Sequence, residues 1–178
     1  MTTSFKLDEN IYVVENVLSF NTSNLLKEFA KDSDNWHVEQ NRFRKRLSDN
    51  LEEQIKLELF PLFNCQIDAI GQIGTYLPNV LDHENISEQW SMWPHQDATD
   101  DYEPSKNIVQ GLVYYINDDY EGGEIDYVNK NIIFKPKENS LVVHPSTKEY
   151  THGVRLVTSG QKYIFTHFFR DTAVDLNL

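Results

Sequence analysis

Beyond Phe60 the sequence loses every helical signature, and this constrains the fold more than any other feature. Gln66 to Leu77, Ile108 to Asn117, Glu124 to Val128, Ile132 to Lys135, Leu141 to His144, His152 to Val157 and Lys162 to Phe169 are short runs rich in β-branched and aromatic residues. Turn signals separate them, among them Glu121-Gly122-Gly123, Lys135-Pro136-Lys137-Glu138-Asn139 and Thr158-Ser159-Gly160. Ahead of them, Ile11 to Leu18 suits one more strand. Asn21-Thr22-Ser23 opens a helix carrying Leu25, Leu26 and Phe29, and Ser48 or Asp49 caps a second helix over Leu51–Phe60, with Pro61 ending it. Two helices followed by strands predict a mostly β fold with N-terminal helices, a sandwich or jelly roll with the helices packed on one sheet. A chain of 178 residues suits one domain, divided into helical support over 1–65 and a β core over 66–170.

Ten Phe, nine Tyr and three Trp give that core its bulk, and the charge narrows the partners. A net charge of −12 repels phosphate backbones and anionic membrane surfaces, so neither nucleic acid nor membrane is an expected partner. The apolar run Leu112-Val113-Tyr114-Tyr115-Ile116 falls far short of the roughly 20 residues of a membrane span. The N-terminus lacks an apolar signal core and Cys65 has no cysteine partner, which together predict a soluble, cytoplasmic protein. Any metal must then rest on His, Asp or Glu. Two segments stand out from this background. The irregular stretch Pro78 to Pro94 is polar yet carries Trp90, Met92 and Trp93, either as a pinned surface loop or as a lid. Arg42, Arg44, Lys45 and Arg46 concentrate positive charge in an acidic chain, either as a solvated face or as a dock for an acidic substrate segment or a phosphate.

Of six histidines, His95 has a carboxylate two residues on, in His95-Gln96-Asp97. On an extended segment these two side chains share a face. His152 is the leading third ligand. If Thr158-Ser159-Gly160 closes a three-residue hairpin, Leu156 faces Lys162, and Lys162 then projects on the same side as His152, about 13 Å away along the strands. That separation admits a dicarboxylate between a cation and the ammonium group. Two histidines and one carboxylate leave open positions on the far side of an ion, as in non-haem Fe(II) oxygenases. By the same parity Arg155 and His167 point away, and His144 reads as a strand-end histidine satisfied by backbone.

His95-x-Asp97, Gly122-Gly123-Glu124, Phe134-x-Pro136, Leu141-Val142-Val143, His152-Gly153-Val154 and Gly160-x-Lys162 together resemble the successive motifs of the 2-oxoglutarate/Fe(II)-dependent dioxygenases, particularly the prolyl 4-hydroxylase branch. The resemblance covers roughly residues 66–170 and implies a double-stranded β-helix with Fe(II) held by His95, Asp97 and His152. It implies that Lys162 binds the distal carboxylate of 2-oxoglutarate, that Tyr115 supports it and that Tyr76 lines the pocket, and it adds ascorbate as a candidate cofactor. The implied reaction is hydroxylation of a prolyl residue in a protein or peptide, and the Trp-bearing stretch Pro78 to Pro94 offers Trp90 or Trp93 for the proline ring to stack on. Lys162 is expected to keep some solvent access or to pair with a carboxylate, because a buried lone ammonium is costly. The rival expectations are a non-catalytic binding or structural jelly roll and an oxygenase acting on a small molecule.

Overall fold

The computed structural model describes residues 2–39, 42–63, 67, 70, 72–81, 90–99 and 105–177. The first half runs β1 (Thr3–Asp8), β2 (Ile11–Glu15), α1 (Phe20–Lys31), β3 (His37–Glu39), β4 (Arg42–Arg46), α2 (Asp49–Phe63) and β5 (Gln72–Tyr76). The second half runs β6 (Trp90–His95), β7 (Ile108–Tyr115), β8 (Glu121–Gly122), β9 (Ile125–Tyr127), β10 (Ile132–Phe134), β11 (Ser140–Pro145), β12 (His152–Arg155), β13 (Val157–Ser159) and β14 (Lys162–Arg170). An eight-stranded sheet in the order β1-β2-β11-β7-β14-β5-β4-β3 and a four-stranded sheet in the order β10-β9-β12-β6 form the jelly roll, with β13 and β8 paired separately. Among the described residues no helix is long and apolar enough to cross a membrane.

Strict alternation divides the large sheet into two faces. Val14, Leu112, Tyr114, Leu141, Val143, Tyr163, Phe165 and Phe169 join Leu26, Ile55, Leu59 and Phe63 of the two helices in one core. Their neighbours Val13, Tyr115, Val142 and Ile164 turn the other way and meet Ile125 and Tyr127 of the small sheet. The candidate residues Tyr115, His152 and Lys162 line the space between the sheets on this second face.

Several expectations need correction. Helix α1 starts earlier than expected, capped by Ser19, whose Oγ accepts the Thr22 amide at 3.3 Å. Pro61 does not end α2. The helix continues to Phe63, which is buried against Phe169 at 5.3 Å between ring centroids, and Asn177 donates back to the Leu62 and Pro61 carbonyls at 2.8 and 3.2 Å. Proline removes one donor near the helix end, and side-chain burial together with this return contact outweighs that loss. Nor are the first 63 residues merely helical support, since β1, β2, β3 and β4 all belong to the large sheet.

The basic segment is strand β4 rather than a uniform charged face. Lys45 is buried on the helix side, donating to the Asp32 carbonyl at 2.9 Å and lying 4.4 Å from the Phe29 ring centre. Arg44, on the opposite face, crosses Gly74, where a Cβ would meet its guanidinium at 2.2 Å. The irregular stretch before Pro94 is shorter than expected, because Trp90, Met92 and Trp93 belong to β6; residues 82–89, on which a lid would depend, lie outside the described residues. The predicted hairpin is absent. β12 belongs to the small sheet and β14 to the large one, and the chain between them pairs β13 with β8 instead. His152 and Lys162 therefore meet by facing each other across the sandwich.

Candidate active site

β6 and β12 are adjacent strands, with His95 directly opposite His152 in the register and their ring centres 4.8 Å apart. Asp97 lies just past the end of β6, where the chain bends inward, so the carboxylate reaches the histidines from a turn rather than from an extended strand. One ligand atom from each of His95, Asp97 and His152 falls within 4.8 Å of the others. Both imidazoles are oriented by their backs. Nδ1 of His95 meets the Trp93 carbonyl and Nδ1 of His152 the Tyr150 carbonyl, each at 3.0 Å. A carbonyl only accepts, so the proton sits on Nδ1 and each Nε2 presents a lone pair. Those Nε2 atoms lie 3.7 Å (His95) and 3.8 Å (His152) from Oδ1 of Asp97.

The electrostatics suit a cation. Burial works against ionisation of Asp97, but the hydrogen bond from His144 and the three neighbouring imidazoles prevail and hold its carboxyl at about 2. Burial, reinforced by His144, lowers His152 to about 3, so it is neutral and ready to ligate at neutral pH. Two imidazoles and one carboxylate, all convergent, fit a divalent ion that keeps open positions. His95 is the accessible member, its side chain 32% exposed.

A cavity of about 430 Å³ runs from this cluster between the sheets. Its walls include Val113, Tyr115, Ile125, Val154 and Ile164, with Tyr76 and Lys162 at one end and Arg44 and Arg170 also contributing. Lys162 is 1% exposed, so the expected solvent access is absent, and no carboxylate pairs with it among the described residues. Instead its Nζ donates to the Gly123 carbonyl at 2.7 Å and lies 5.0, 5.4 and 5.7 Å from the ring centres of Tyr115, Tyr76 and Tyr120. Burial lowers its pKa to about 7, with Glu124 pulling the other way. A three-ring cradle and one carbonyl tolerate the ammonium without neutralising it, and a carboxylate arriving from the cavity would complete the pairing.

Parity placed two side chains as observed: Arg155 pairs with Asp126 and covers Trp90, and His167 packs on Phe169, neither lining the cavity. Trp90 is 2% exposed beneath Arg155, which removes it as a stacking platform for a substrate. His144 also departs from expectation. It is completely buried, contacts Asp97 through Nε2 at 3.1 Å and Tyr127 through Nδ1 at 2.5 Å, and its ring centre lies 4.3 Å from that of His152. Side chains rather than backbone satisfy it. Strand parity carried the signal, because residue 144 shares the inward face of Val142 on β11. Tyr120 was not singled out, and Arg44 only as part of the basic run, because their places depend on contacts between distant segments.

Residues 85–170 match the family model described as the 2OG-Fe(II) oxygenase superfamily. A search of curated proteins gives no match. Among solved structures, the chain is similar to the viral collagen prolyl hydroxylase from Paramecium bursaria Chlorella virus-1 in its 2OG complex. The identity is 19%, the TM-score 0.64, and the coverage 92% of this chain and 97% of that one. It is similar to a Trichoplax adhaerens prolyl hydroxylase in complex with a hypoxia inducible factor peptide fragment, at 14% identity and TM-score 0.58, over 91% and 84% of the two chains. NgTET1 in complex with 5mC DNA gives 15% identity and TM-score 0.58, over 91% of this chain and 72% of that one. These likenesses establish the double-stranded β-helix, and the family match supports the oxygenase resemblance read from the motifs.

Proposed function

We propose that this chain, whose residues 85–170 carry the 2OG-Fe(II) oxygenase signature, is a 2-oxoglutarate-dependent dioxygenase that hydroxylates a prolyl residue within a protein or peptide. The observation that carries the reading is the layout of one cavity: three convergent ligand atoms line it together with a fully buried lysine. His95, Asp97 and His152 would hold Fe(II). Lys162 and the Tyr115 hydroxyl would take the far carboxylate of 2-oxoglutarate, with Tyr76 closing that end. Burial raises the Tyr115 phenol well above its ordinary value, so it remains a hydrogen-bond donor. Ascorbate belongs to the proposal as an auxiliary reductant, and a cytoplasmic setting accords with the lone Cys65.

Iron and 2-oxoglutarate, when bound, supply the oxidising power: one atom of O₂ enters succinate as carbon dioxide leaves, and the other enters a substrate C–H bond. The protein's part is orientation and exclusion of water. The carbonyl contacts behind His95 and His152 turn both Nε2 atoms toward Asp97, and Val113, Ile125, Val154 and Ile164 are apolar walls of the cavity these groups share with the lysine. Length and charge of the cosubstrate are thus both selected.

The names of two similar proteins, both prolyl hydroxylases and one with a peptide bound, support a prolyl substrate in a peptide chain. The net charge of −12 weighs against DNA. Arg44, from the basic run, lies in the cavity wall, where it could read residues flanking the target proline. The test is succinate formation and oxygen incorporation measured side by side on proline-containing peptides, free L-proline and single-stranded DNA. Turnover on peptides is expected; coupled turnover on free proline or DNA with none on any peptide would overturn the substrate class.

A further inference from the structure

The inner oxygen of Asp97, Oδ1, faces the two Nε2 atoms, while the outer oxygen, Oδ2, faces His144. A carboxylate is ionised at neutral pH and only accepts, so His144 carries its proton on Nε2 and donates to Oδ2 at 3.1 Å. Its Nδ1 is then a bare lone pair and accepts the Tyr127 hydroxyl proton at 2.5 Å. The tautomer at each step follows from the next. Tyr127 and His144 are both completely buried, so no water competes for any link.

A glycine makes room for this chain of contacts. Gly111 on β7 pairs with His144 on β11, and a Cβ at Gly111 would lie 2.4 Å from Oδ2 of Asp97 and 2.7 Å from Nε2 of His144. Both distances are far inside contact, and both atoms belong to the hydrogen bond itself. Any side chain at 111 would push the carboxylate and the imidazole apart.

We infer that Tyr127, His144 and Gly111 are positioning residues that lock the outer oxygen of Asp97, so that this carboxylate offers a cation one oxygen only. The inference rests on the reading of His95, Asp97 and His152 as metal ligands. Its functional content is a count of open positions. An octahedral ion held by two imidazoles and one carboxylate oxygen keeps room for the two atoms of a chelating keto acid and for one oxygen molecule. A carboxylate free to rotate and bind through both oxygens would take one of those places.

The test uses the full chain loaded with Co(II), whose visible absorption reports coordination number, before and after addition of 2-oxoglutarate. His144→Leu and Gly111→Ala are each expected to weaken Co(II) binding by about 10–100-fold and to change the spectrum of the 2-oxoglutarate complex. His144→Gln places an amide N–H near the position of Nε2 and should restore most of both, which a purely space-filling role would not require. Thermal unfolding of each metal-free protein checks the fold. Should His144→Leu and Gly111→Ala not fold, Tyr127→Phe, which removes one hydroxyl, should still weaken Co(II) by about threefold or more. Wild-type affinity and spectra in the folded variants would overturn the locking role while leaving the triad standing. Failure of the wild-type chain to bind Co(II) stoichiometrically would overturn the triad, and the locking role with it.

Discussion

If Lys162 takes the far carboxylate of 2-oxoglutarate as proposed, cosubstrate binding becomes a proton-coupled event. In the cosubstrate-free protein burial lowers this ammonium from 10.5 to about 7, and no carboxylate offsets it among the described residues. 2-Oxoglutarate, fully ionised at neutral pH, brings the missing counter-charge and raises the pKa again. Binding above pH 7 must therefore draw a proton onto Lys162, and affinity falls as the charged fraction falls. That fraction drops from nearly all to about one part in a hundred between roughly pH 6 and pH 9, so affinity should weaken about a hundredfold over that range. The assay is calorimetric titration of 2-oxoglutarate into Co(II)-loaded protein, in buffers of different ionisation enthalpy, which yields affinity and proton uptake together. Uptake of about one proton per 2-oxoglutarate is expected near pH 9. Lys162→Arg stays charged throughout and should give a flat profile, separating the lysine from the titration of the histidines. Affinity constant within about threefold over this range, with no proton uptake, would refute the argument. The same depression has a sign for stability. Between about 7 and 10.5 the unfolded chain holds the lysine proton and the folded chain does not, so cosubstrate-free protein should gain stability as pH rises through that window.

Three further outcomes are expected. His95→Ala, Asp97→Ala and His152→Ala should each remove most of the iron, read by metal analysis after anaerobic loading, because three ligands leave no redundancy. Phe63→Ala should destabilise the fold by about 3–5 kcal/mol in denaturant titration, since it empties the contact with Phe169 beneath the large sheet. Arg44→Glu should lower kcat/KM about tenfold for peptides with an acidic residue beside the proline and spare neutral ones; an equal effect on both sets would remove Arg44 from substrate recognition.

Much of this architecture is legible in the amino-acid sequence. The alternation in Lys162–Phe169 and Ile108–Asn117 already assigned faces, and on β14 the odd residues do pack on the helices while Lys162 and Ile164 line the cavity. The shared location of His152 and Lys162 was anticipated, but through a hairpin that does not form. Parity along one chain tells inward from outward; it cannot tell which sheet a strand joins. The carbonyl of Leu156 accepts from Gly123, which sends the chain between β12 and β14 toward β8 rather than straight back. Pro61 misled because the contacts that keep α2 going come from Phe169 and Asn177, more than a hundred residues away in sequence. The partners of His144 and Lys45 are nearer, 13 to 47 residues away, but lie on other elements: a polar residue at an inward position announces that a partner exists without naming it.

The division of the site between two sheets gives it a mechanical character. His95 and His152 hang from the four-stranded layer and Lys162 from the eight-stranded one. A cosubstrate gripped at both ends would act as a strut bracing one layer against the other. Succinate, which keeps the far carboxylate but lacks the chelating keto acid, is a strut with one end cut. Completion of the chemistry would then slacken the brace and let the layers breathe, so that the site opens after turnover and stiffens before it. Amide exchange in β6 and β12, slowed by 2-oxoglutarate and unaffected by succinate, would record that difference.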